Sequence, residues 1–373
     1  MSEFIPPVRD DLVGVEAYGA PQLDVRARLN VNENPFPLPV AVAEALGAAV
    51  ADAARGLNRY PEREALELRA ALATYLRHES VCGVDGDHVW AANGSNEVMH
   101  HLFLAFGGPG RTALTFDPTY SMYPEYARDT FTRLVTRPRR EDFSIDIDDA
   151  VATIEDVRPT LVVVASPNNP SGTAMTLEDI RALGRASLSV GAVFVVDEAY
   201  AEFRRTGTPS ACTLLPELPN LVVSRTMSKA FAMAGLRLGY AAVADTRVID
   251  ALRVVRLPYH LSAVTQAAAI AALAHADVLQ AQVALLRDER DRLAAWLAEQ
   301  GYTVIPSDAN FLLFGRFADR EAVWRALLDQ GVLIRATGPK PWLRVSIGTP
   351  DENAMFKDAL LTTGRPDGPH RTH

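Results

Sequence analysis

Short apolar segments that alternate with helical patterns constrain this 373-residue chain more than any other feature. The clearest are rich in aliphatic residues and cover residues 160–165, 192–196, 221–224 and 238–243. Such segments suit strands buried on both faces, and the helical patterns between them favour an α/β sheet with mostly parallel strands. Because ligands of such sheets bind beyond the carboxyl ends of the strands, the residues after each apolar segment are candidates for a functional site.

Four side chains with useful chemistry follow predicted strands. They are Tyr120, Asn169, Asp197 and Lys229. Because the carboxyl ends of parallel strands lie at one edge of a sheet, we expect these four side chains to meet there. Taken singly, Asp197 fits a strand-end turn equally well, and a tyrosine after a strand is more often packed than functional. The joint placement of all four favours a site.

The stretch 224–239 holds the densest chemistry of the chain. Lys229 stands beside the hydroxyl residues Thr226 and Ser228, and Arg237 follows a glycine further on. Hydroxyls and an arginine are the groups that bind a phosphate, and a lysine amine is a nucleophile when its pKa is lowered or a Schiff base holds it. The stretch predicts a lysine that carries pyridoxal phosphate. A surface lysine in a strand-to-helix turn is the alternative.

A second candidate for anion binding is the small-residue turn 93–97, which opens an apolar helix over residues 98–106. The free backbone N–H groups at such a helix start, here at Ser95 and Asn96, favour a negative charge. A plain N-cap at Ser95 would explain the same residues. The adjacent histidines His100 and His101 lack the spacing of a ligand pair, so we expect no metal site.

Composition excludes several classes of function. The net charge is −9, which argues against nucleic acid as a partner, because phosphate backbones require a basic face. Two cysteines, Cys82 and Cys212, cannot form a disulfide framework, and no basic-then-apolar signal opens the chain. No uncharged apolar run approaches the roughly 20 residues of a membrane span. We therefore expect a cytoplasmic protein without membrane contact.

The same patterns predict the organisation of the chain. Residues 1–35 form an irregular arm broken by prolines and glycines, and residues 36–250 form the large α/β domain. Residues 251–363 form a smaller C-terminal α/β domain, which the arm completes. Residues 364–373 are polar and predicted to be disordered.

The motifs of the chain together resemble those of the fold-type I pyridoxal phosphate aminotransferases, and more narrowly the histidinol-phosphate aminotransferases. The resemblance spans residues 18–348, and its motifs occur in family order. They are Asn30-x-Asn32-Glu33-Asn34-Pro35, Arg59-Tyr60-Pro61, Asn93-Gly94-Ser95-Asn96-Glu97, Asn169, Asp197-x-x-Tyr200, Ser228-Lys229, Arg237, Arg256-Leu257-Pro258-Tyr259-His260 and Asp308-Ala309-Asn310-Phe311.

The resemblance implies a role for each matching residue. Lys229 is the catalytic residue, a Schiff-base partner of pyridoxal 5'-phosphate and then a general base and acid. Asp197 pairs with the pyridine nitrogen, Asn169 and Tyr200 bond the phenolic oxygen, and Tyr120 stacks on the ring. The phosphate lies on Ser95, Asn96, Thr226, Ser228 and Arg237, with Tyr60 reaching it from the second subunit of a homodimer.

The resemblance also implies two small-molecule substrates, L-histidinol phosphate and 2-oxoglutarate, which yield imidazole-acetol phosphate and L-glutamate in a ping-pong cycle of histidine biosynthesis. Arg335 and Arg344 would bind their anionic groups, with Tyr18 and Asn34 nearby. Three alternatives stay open at this point: an aromatic amino acid (phenylalanine) aminotransferase, a decarboxylase of the same fold, and a ligand-sensing regulator. A regulator of this kind usually carries a basic DNA-binding module. This chain is acidic, and its N-terminal arm is too short to form such a module.

Overall fold

The computed structural model describes residues 4–17 and 19–363 and shows strands and helices in the predicted alternation. The helices are α1 (Val40–Ala54), α2 (Leu66–Ser80), α3 (Ser95–Phe106), α4 (Tyr123–Asp129), α5 (Ile147–Val157), α6 (Leu177–Ser189), α7 (Thr246–Val255), α8 (Ala263–Leu273), α9 (Ala276–Glu299), α10 (Arg320–Asp329) and α11 (Pro350–Thr362). The strands are β1 (Ala27–Arg28), β2 (Val89–Ala92), β3 (Thr112–Asp117), β4 (Arg133–Pro138), β5 (Leu161–Ala165), β6 (Val193–Asp197), β7 (Leu221–Thr226), β8 (Gly239–Val243), β9 (Thr303–Val304), β10 (Phe311–Gly315), β11 (Val332–Leu333) and β12 (Trp342–Ser346).

Seven strands form the large sheet, in the order β2-β8-β7-β6-β5-β3-β4. Only β8 runs against the others, pairing antiparallel with both β7 and β2. The predicted α/β class with a mostly parallel sheet is therefore confirmed. The carboxyl ends of six strands and the first residue of β8 share one edge, which is where the sequence predicted a site.

Alternate side chains of the central strands face opposite sides of this sheet. Along β5, Leu161 and Val163 belong to an apolar cluster with residues of α3, α4 and α7. Val162 and Val164 belong to the other cluster, with residues of α2, α5 and α6. A strand that is covered on both faces needs apolar residues at every position, which explains the continuous apolar segments.

Two predicted elements begin later than the sequence pattern indicated. The pattern of residues 130–136 predicts a strand, but β4 begins only at Arg133, because Phe131 adopts a positive φ of 56° and the Thr130 hydroxyl donates to the Tyr126 carbonyl at 2.8 Å. Apolar residues at helical spacing predict a helix over residues 62–77, but α2 begins only at Leu66, because Ala65 is left-handed and the Glu62 carboxylate accepts from backbone N–H groups in a turn. In both places local side-chain bonds to the backbone compete with the regular element.

The N-terminal arm pairs with the C-terminal part of the chain. β1 runs parallel to β11, and β9, β10 and β12 form a separate three-stranded antiparallel sheet. The Ser346 N–H donates to the Leu29 carbonyl at 3.0 Å, which ties the arm to the end of β12. The division of the chain at residues 35 and 250 stays a prediction, and the tail 364–373 lies outside the described residues.

Within the described ranges, no single helix is long and apolar enough to cross a membrane. Helices α8 and α9 reach the necessary length and apolarity only when they are taken together, and a bend of 74° separates them.

Candidate active site

A cavity of about 270 Å³ opens at the carboxyl edge of the large sheet. It collects residues from the ends of four strands, from the N-terminal arm and from the C-terminal sheet. Of the residues predicted from the sequence, those that line it are Ser95, Asn96, Tyr120, Asn169, Asp197, Tyr200, Thr226, Ser228, Lys229, Arg237, Arg335 and Arg344. The structure thus brings together side chains that are up to about 250 positions apart in the chain. Those that follow strands of the large sheet meet as expected of strand ends in a parallel sheet.

One end of the cavity presents groups that favour a negative charge. Helix α3 begins at Ser95, after Gly94 with a positive φ of 84°, so the first N–H groups of the helix and its positive dipole end face the cavity. A Cβ at Gly94 would lie 2.5 Å from Nη2 of Arg237, and one at Gly239 would collide with the Ser95 nitrogen. Two glycines therefore allow β8 and Arg237 to approach the helix start closely.

Hydroxyl groups and Arg237 complete this end of the cavity. The Thr226 hydroxyl donates to the Ser228 hydroxyl at 3.0 Å, and Nη1 of Arg237 donates to the same Ser228 oxygen at 3.4 Å. Arg237 is itself held by a bond from Nη1 to the Ala234 carbonyl at 2.8 Å. Backbone N–H groups, hydroxyls and a guanidinium form the donor set that a phosphate monoester requires.

Lys229 points its amine into the centre of the cavity. Its Nζ donates to the Val31 carbonyl of the arm at 3.0 Å. Burial, and next the positive charge of Arg344, lower the pKa of this amine to about 8. A substantial fraction of the lysine is then neutral and nucleophilic near physiological pH.

Asp197 lies at the end of β6, on the floor of the cavity. Its Oδ2 accepts from the Tyr123 hydroxyl at 3.0 Å, and its Oδ1 accepts from the Ala199 N–H at 3.2 Å. Burial raises the pKa of this carboxyl to about 6, although both hydrogen bonds act in the opposite direction. Asp197 is therefore an anion at neutral pH, placed to pair with a protonated nitrogen.

The amide Asn169 and the hydroxyl of Tyr200 line the cavity between the lysine and the arm. Nη1 of Arg344 donates to Oδ1 of Asn169 at 2.6 Å, and Nδ2 of Asn32 donates to the Tyr200 hydroxyl at 3.0 Å. Tyr120 donates its hydroxyl to Oδ1 of Asn96 at 3.2 Å. These contacts fix the positions of three predicted site residues.

Two arginines face the cavity from the C-terminal sheet. Arg335 and Arg344 form an antiparallel backbone bridge, so the two residues lie directly opposite each other. Nη2 of Arg344 donates to the Asn30 carbonyl at 2.7 Å, and Nη2 of Arg335 lies 3.4 Å from the Gly19 carbonyl. The cavity therefore contains Arg237 at one end and two further guanidinium groups at the other.

Two of the predicted residues that the structure describes, Tyr60 and Asn34, do not line the cavity. Tyr60 is 79% exposed and stacks on Tyr259 with ring centroids 4.4 Å apart. Oδ1 of Asn34 accepts from the Phe36 N–H at 3.0 Å, so this amide closes a turn around Pro35 instead of facing the cavity. Tyr18 lies outside the described residues. The roles assigned to Tyr60, Asn34 and Tyr18 stay predictions.

No sequence signal points to Tyr123, whereas the amide-rich segment 30–34 is expected near the substrate. Tyr123 is fully buried, and it reaches Asp197 from the first turn of α4. The carbonyl of Val31, the amide of Asn32 and the carboxylate of Glu33 all line the cavity. The amide-rich composition of residues 30–34 marked the segment but could not say which amide faces inward.

The chain is similar to known proteins along most of its length. The model of the family "Aminotransferase class I and II" matches residues 27–360. The chain is 59% identical to histidinol-phosphate aminotransferase of Thermobifida fusca over 96% of each chain. It is 54% identical to histidinol-phosphate aminotransferase of Bifidobacterium longum, over 95% of this chain and 96% of the relative.

A solved structure with the same fold is histidinol-phosphate aminotransferase from Sinorhizobium meliloti in complex with pyridoxal-5'-phosphate. It superposes with a TM-score of 0.80 at 26% identity, and the match covers 91% of each chain.

Proposed function

The chain belongs to the class I and II aminotransferases, and from this premise we propose that it transfers the amino group of L-histidinol phosphate to 2-oxoglutarate. The products are imidazole-acetol phosphate and L-glutamate, as in histidine biosynthesis. The single observation that carries the proposal is the convergence of the Lys229 amine, the Asp197 carboxylate and the start of α3 in one cavity. The relatives named above carry the substrate assignment, and none of them is named for phenylalanine.

Pyridoxal 5'-phosphate is the cofactor, and the residues of the cavity fit it. The helix start at Ser95 and Asn96, with Ser228, Thr226 and Arg237, would hold its phosphate. Asp197 would face the ring nitrogen, and Asn169 and Tyr200 would face the phenolic oxygen. When bound, the cofactor supplies a ring that accepts electrons from the substrate carbon next to the amine.

Lys229 performs the proton chemistry of the proposed reaction. Its amine would anchor the cofactor, and it would accept and return the proton of the substrate carbon that carries the amino group. A pKa near 8 suits both directions, because a group with a pKa near the working pH can both accept and donate a proton.

Arg335 and Arg344 are suited to the two alternating substrates. Histidinol phosphate carries a phosphate and glutamate carries carboxylates, and a guanidinium pairs bidentately with either anion. Arg237 bonds Ser228, one of the groups proposed to hold the cofactor phosphate, so the proposal assigns the anionic groups of the substrates to Arg335 and Arg344, which line the same cavity. Tyr120 would stack on the cofactor ring, and Tyr18 would contact the substrate from the arm. Asn34 would contact the substrate only after leaving the turn in which it accepts from the Phe36 N–H.

We include a homodimer in the proposal. Exposed apolar side chains lie close in sequence to Tyr60 and to its stacking partner Tyr259, and the two segments that carry them are joined by the Tyr60–Tyr259 stack and by an ion pair from Arg253 to Glu64. These side chains are Leu57, Leu66, Val254 and Leu257, exposed by 55%, 56%, 84% and 76%. A patch of this kind marks a protein interface, and it would present Tyr60 to the cofactor phosphate of a second subunit. We place the enzyme in the cytoplasm.

Absorbance spectroscopy of the purified protein tests the proposed function directly. The protein with pyridoxal phosphate should show a visible band that histidinol phosphate converts to a near-ultraviolet band and 2-oxoglutarate restores. Lys229→Ala should lose turnover, while Lys340→Ala, outside the cavity, should keep it. A visible band that phenylalanine converts and histidinol phosphate leaves unchanged would overturn the substrate assignment but keep the aminotransferase chemistry.

A further inference from the structure

The hydroxyl of Tyr123 is fully buried and bonds directly to a charged group of the proposed site. It lies 3.0 Å from Oδ2 of Asp197, and the Tyr123 ring packs edge-on against Tyr120 with ring centroids 5.7 Å apart. Burial, together with the nearby charge of Asp197, raises the pKa of Tyr123 well above its ordinary value. The phenol therefore stays protonated and donates.

We propose that Tyr123 is a positioning residue, whose hydroxyl holds the Asp197 carboxylate ionised and in the orientation that faces the cofactor ring. The inference rests on the proposed function for the identity of the ring, but the contact itself does not. The Ala199 N–H holds Oδ1 at 3.2 Å and the Tyr123 hydroxyl holds Oδ2, so the two donors together fix the plane of the carboxylate. Tyr123 acts only through Asp197.

Ionisation of Asp197 depends on this bond because burial favours the neutral carboxyl. A hydrogen bond to the charged form lowers the pKa of a carboxyl, so loss of the Tyr123 hydroxyl raises it further above about 6. A neutral Asp197 would no longer keep the ring nitrogen protonated, and the ring would accept electrons less well. Other titratable or charged groups around the pair are Glu198, Tyr120, Tyr126, Arg139 and Lys229.

These neighbours do not replace the Tyr123 hydroxyl. Glu198 is negative and raises the pKa of Asp197. The Arg139 guanidinium donates to the carbonyl groups of Phe116 and Phe143 at 3.1 and 3.0 Å, and it is not among the groups that lower the pKa of Asp197. The Lys229 amine donates to the Val31 carbonyl.

Tyr123→Phe tests the proposal, and Tyr240→Phe is its matched control. Tyr240 is also fully buried, but its hydroxyl has no hydrogen-bond partner within residues 4–17 and 19–363. In the holoenzyme, Tyr123→Phe should move the acid limb of the kcat profile upward by about one to two pH units, the shift expected for a lost bond to a charged group. Tyr240→Phe should leave the limb in place.

An infrared titration of the protein without cofactor supplies a readout besides activity. The difference spectrum between each protein and its Asp197→Asn counterpart isolates the carboxyl bands of Asp197. The pH midpoint at which these bands titrate should be higher in Tyr123→Phe than in the wild type, and unchanged in Tyr240→Phe. If the wild type fails to transfer an amino group, the proposed function falls, but this titration still decides the role of Tyr123.

A second substitution covers the case in which Tyr123→Phe does not fold. 3-Fluorotyrosine placed at position 123 alone keeps the ring and the hydroxyl but donates more strongly, so the Asp197 midpoint and the acid limb should both move downward. Unchanged midpoints in both variants, or equal shifts in Tyr240→Phe, would overturn the proposal.

Discussion

Burial moves the pKa values of Lys229 and Asp197 towards neutrality from opposite sides. The amine falls to about 8 and the carboxyl rises to about 6, in each case chiefly because burial disfavours the charged form. Between these two values the carboxyl is mostly ionised and part of the amine is neutral. That combination suits a site in which one group stabilises a positive ring nitrogen while the other moves protons.

The pKa of Lys229 predicts how fast the apoprotein binds its cofactor at different pH values. Only the neutral amine attacks the cofactor aldehyde, so the uptake rate should rise about tenfold per pH unit and level off above about pH 8. Arg344→Gln removes a cation that lowers this pKa, so the plateau should begin at higher pH. Stopped-flow absorbance measures the rate.

Arg335→Gln is the control for this experiment, because Arg335 is not among the charges that act on Lys229. Its uptake profile should match that of the wild type. A wild-type rate that still rises steeply above pH 9 would show that the amine keeps its ordinary pKa.

The stability of the apoprotein follows from the same shift in the pKa of Lys229. Because folding lowers this pKa from 10.5 to about 8, the unfolded chain binds more protons between these values. The contribution of Lys229 to the free energy of unfolding therefore rises as the pH increases through this window.

Among the elements, the contact of α3 with β8 decides the shape of the anion end of the cavity. β8 pairs with β2 and β7, and its first residue, Gly239, lies directly against the backbone of Gly94 and Ser95. No side chain fits between the strand and the helix start. The antiparallel entry of β8 at the edge where the other strands end is what allows this approach.

Gly239→Ala should therefore weaken cofactor binding. The added methyl group would collide with backbone atoms, so the helix start must move, at a cost of about 1–3 kcal/mol, which is about five- to 150-fold in the cofactor Kd. Gly235→Ala is the matched control, because a Cβ there meets no atom within 4 Å and the residue needs no positive φ. Equal cofactor affinity in the two variants, measured by absorbance titration, would contradict this account.

At the scale of the whole molecule, the arm and the C-terminal sheet close the cavity together. Asn310 donates to the Asn32 carbonyl at 3.0 Å, and the Ser346 hydroxyl donates to the Asn32 side chain at 2.9 Å. The same Asn32 bonds Tyr200, and the neighbouring Val31 bonds Lys229. The C-terminal sheet therefore places the arm against Lys229. We expect that binding of the substrate changes the position of the arm.

A mixing experiment tests the shared active site of the proposed dimer. Lys229→Ala and Tyr60→Ala should each have little activity alone. In a mixed dimer one site combines the intact Lys229 of one subunit with the intact Tyr60 of the other. Coexpression should therefore restore about a quarter of the wild-type sites, since half of randomly paired dimers are mixed and each has one intact site.

Lys229→Ala paired with Asp197→Ala controls for non-specific rescue. Both residues line the same cavity of one chain, so every site of a mixed dimer lacks one of them and no activity should return. Failure of the Lys229→Ala and Tyr60→Ala pair to recover activity would place Tyr60 outside the neighbouring site.

The sequence alone determined the fold class and most of the cavity lining. Strands that are buried on both faces must be apolar throughout, and the polar residues at their ends must then share one edge, which identified Asp197, Asn169 and Lys229. The tertiary structure alone decided which groups touch across long separations. The bond from Tyr123 to Asp197 and the position of Asn32 against Tyr200 depend on how separate elements pack, and periodicity within one element carries no information about that packing.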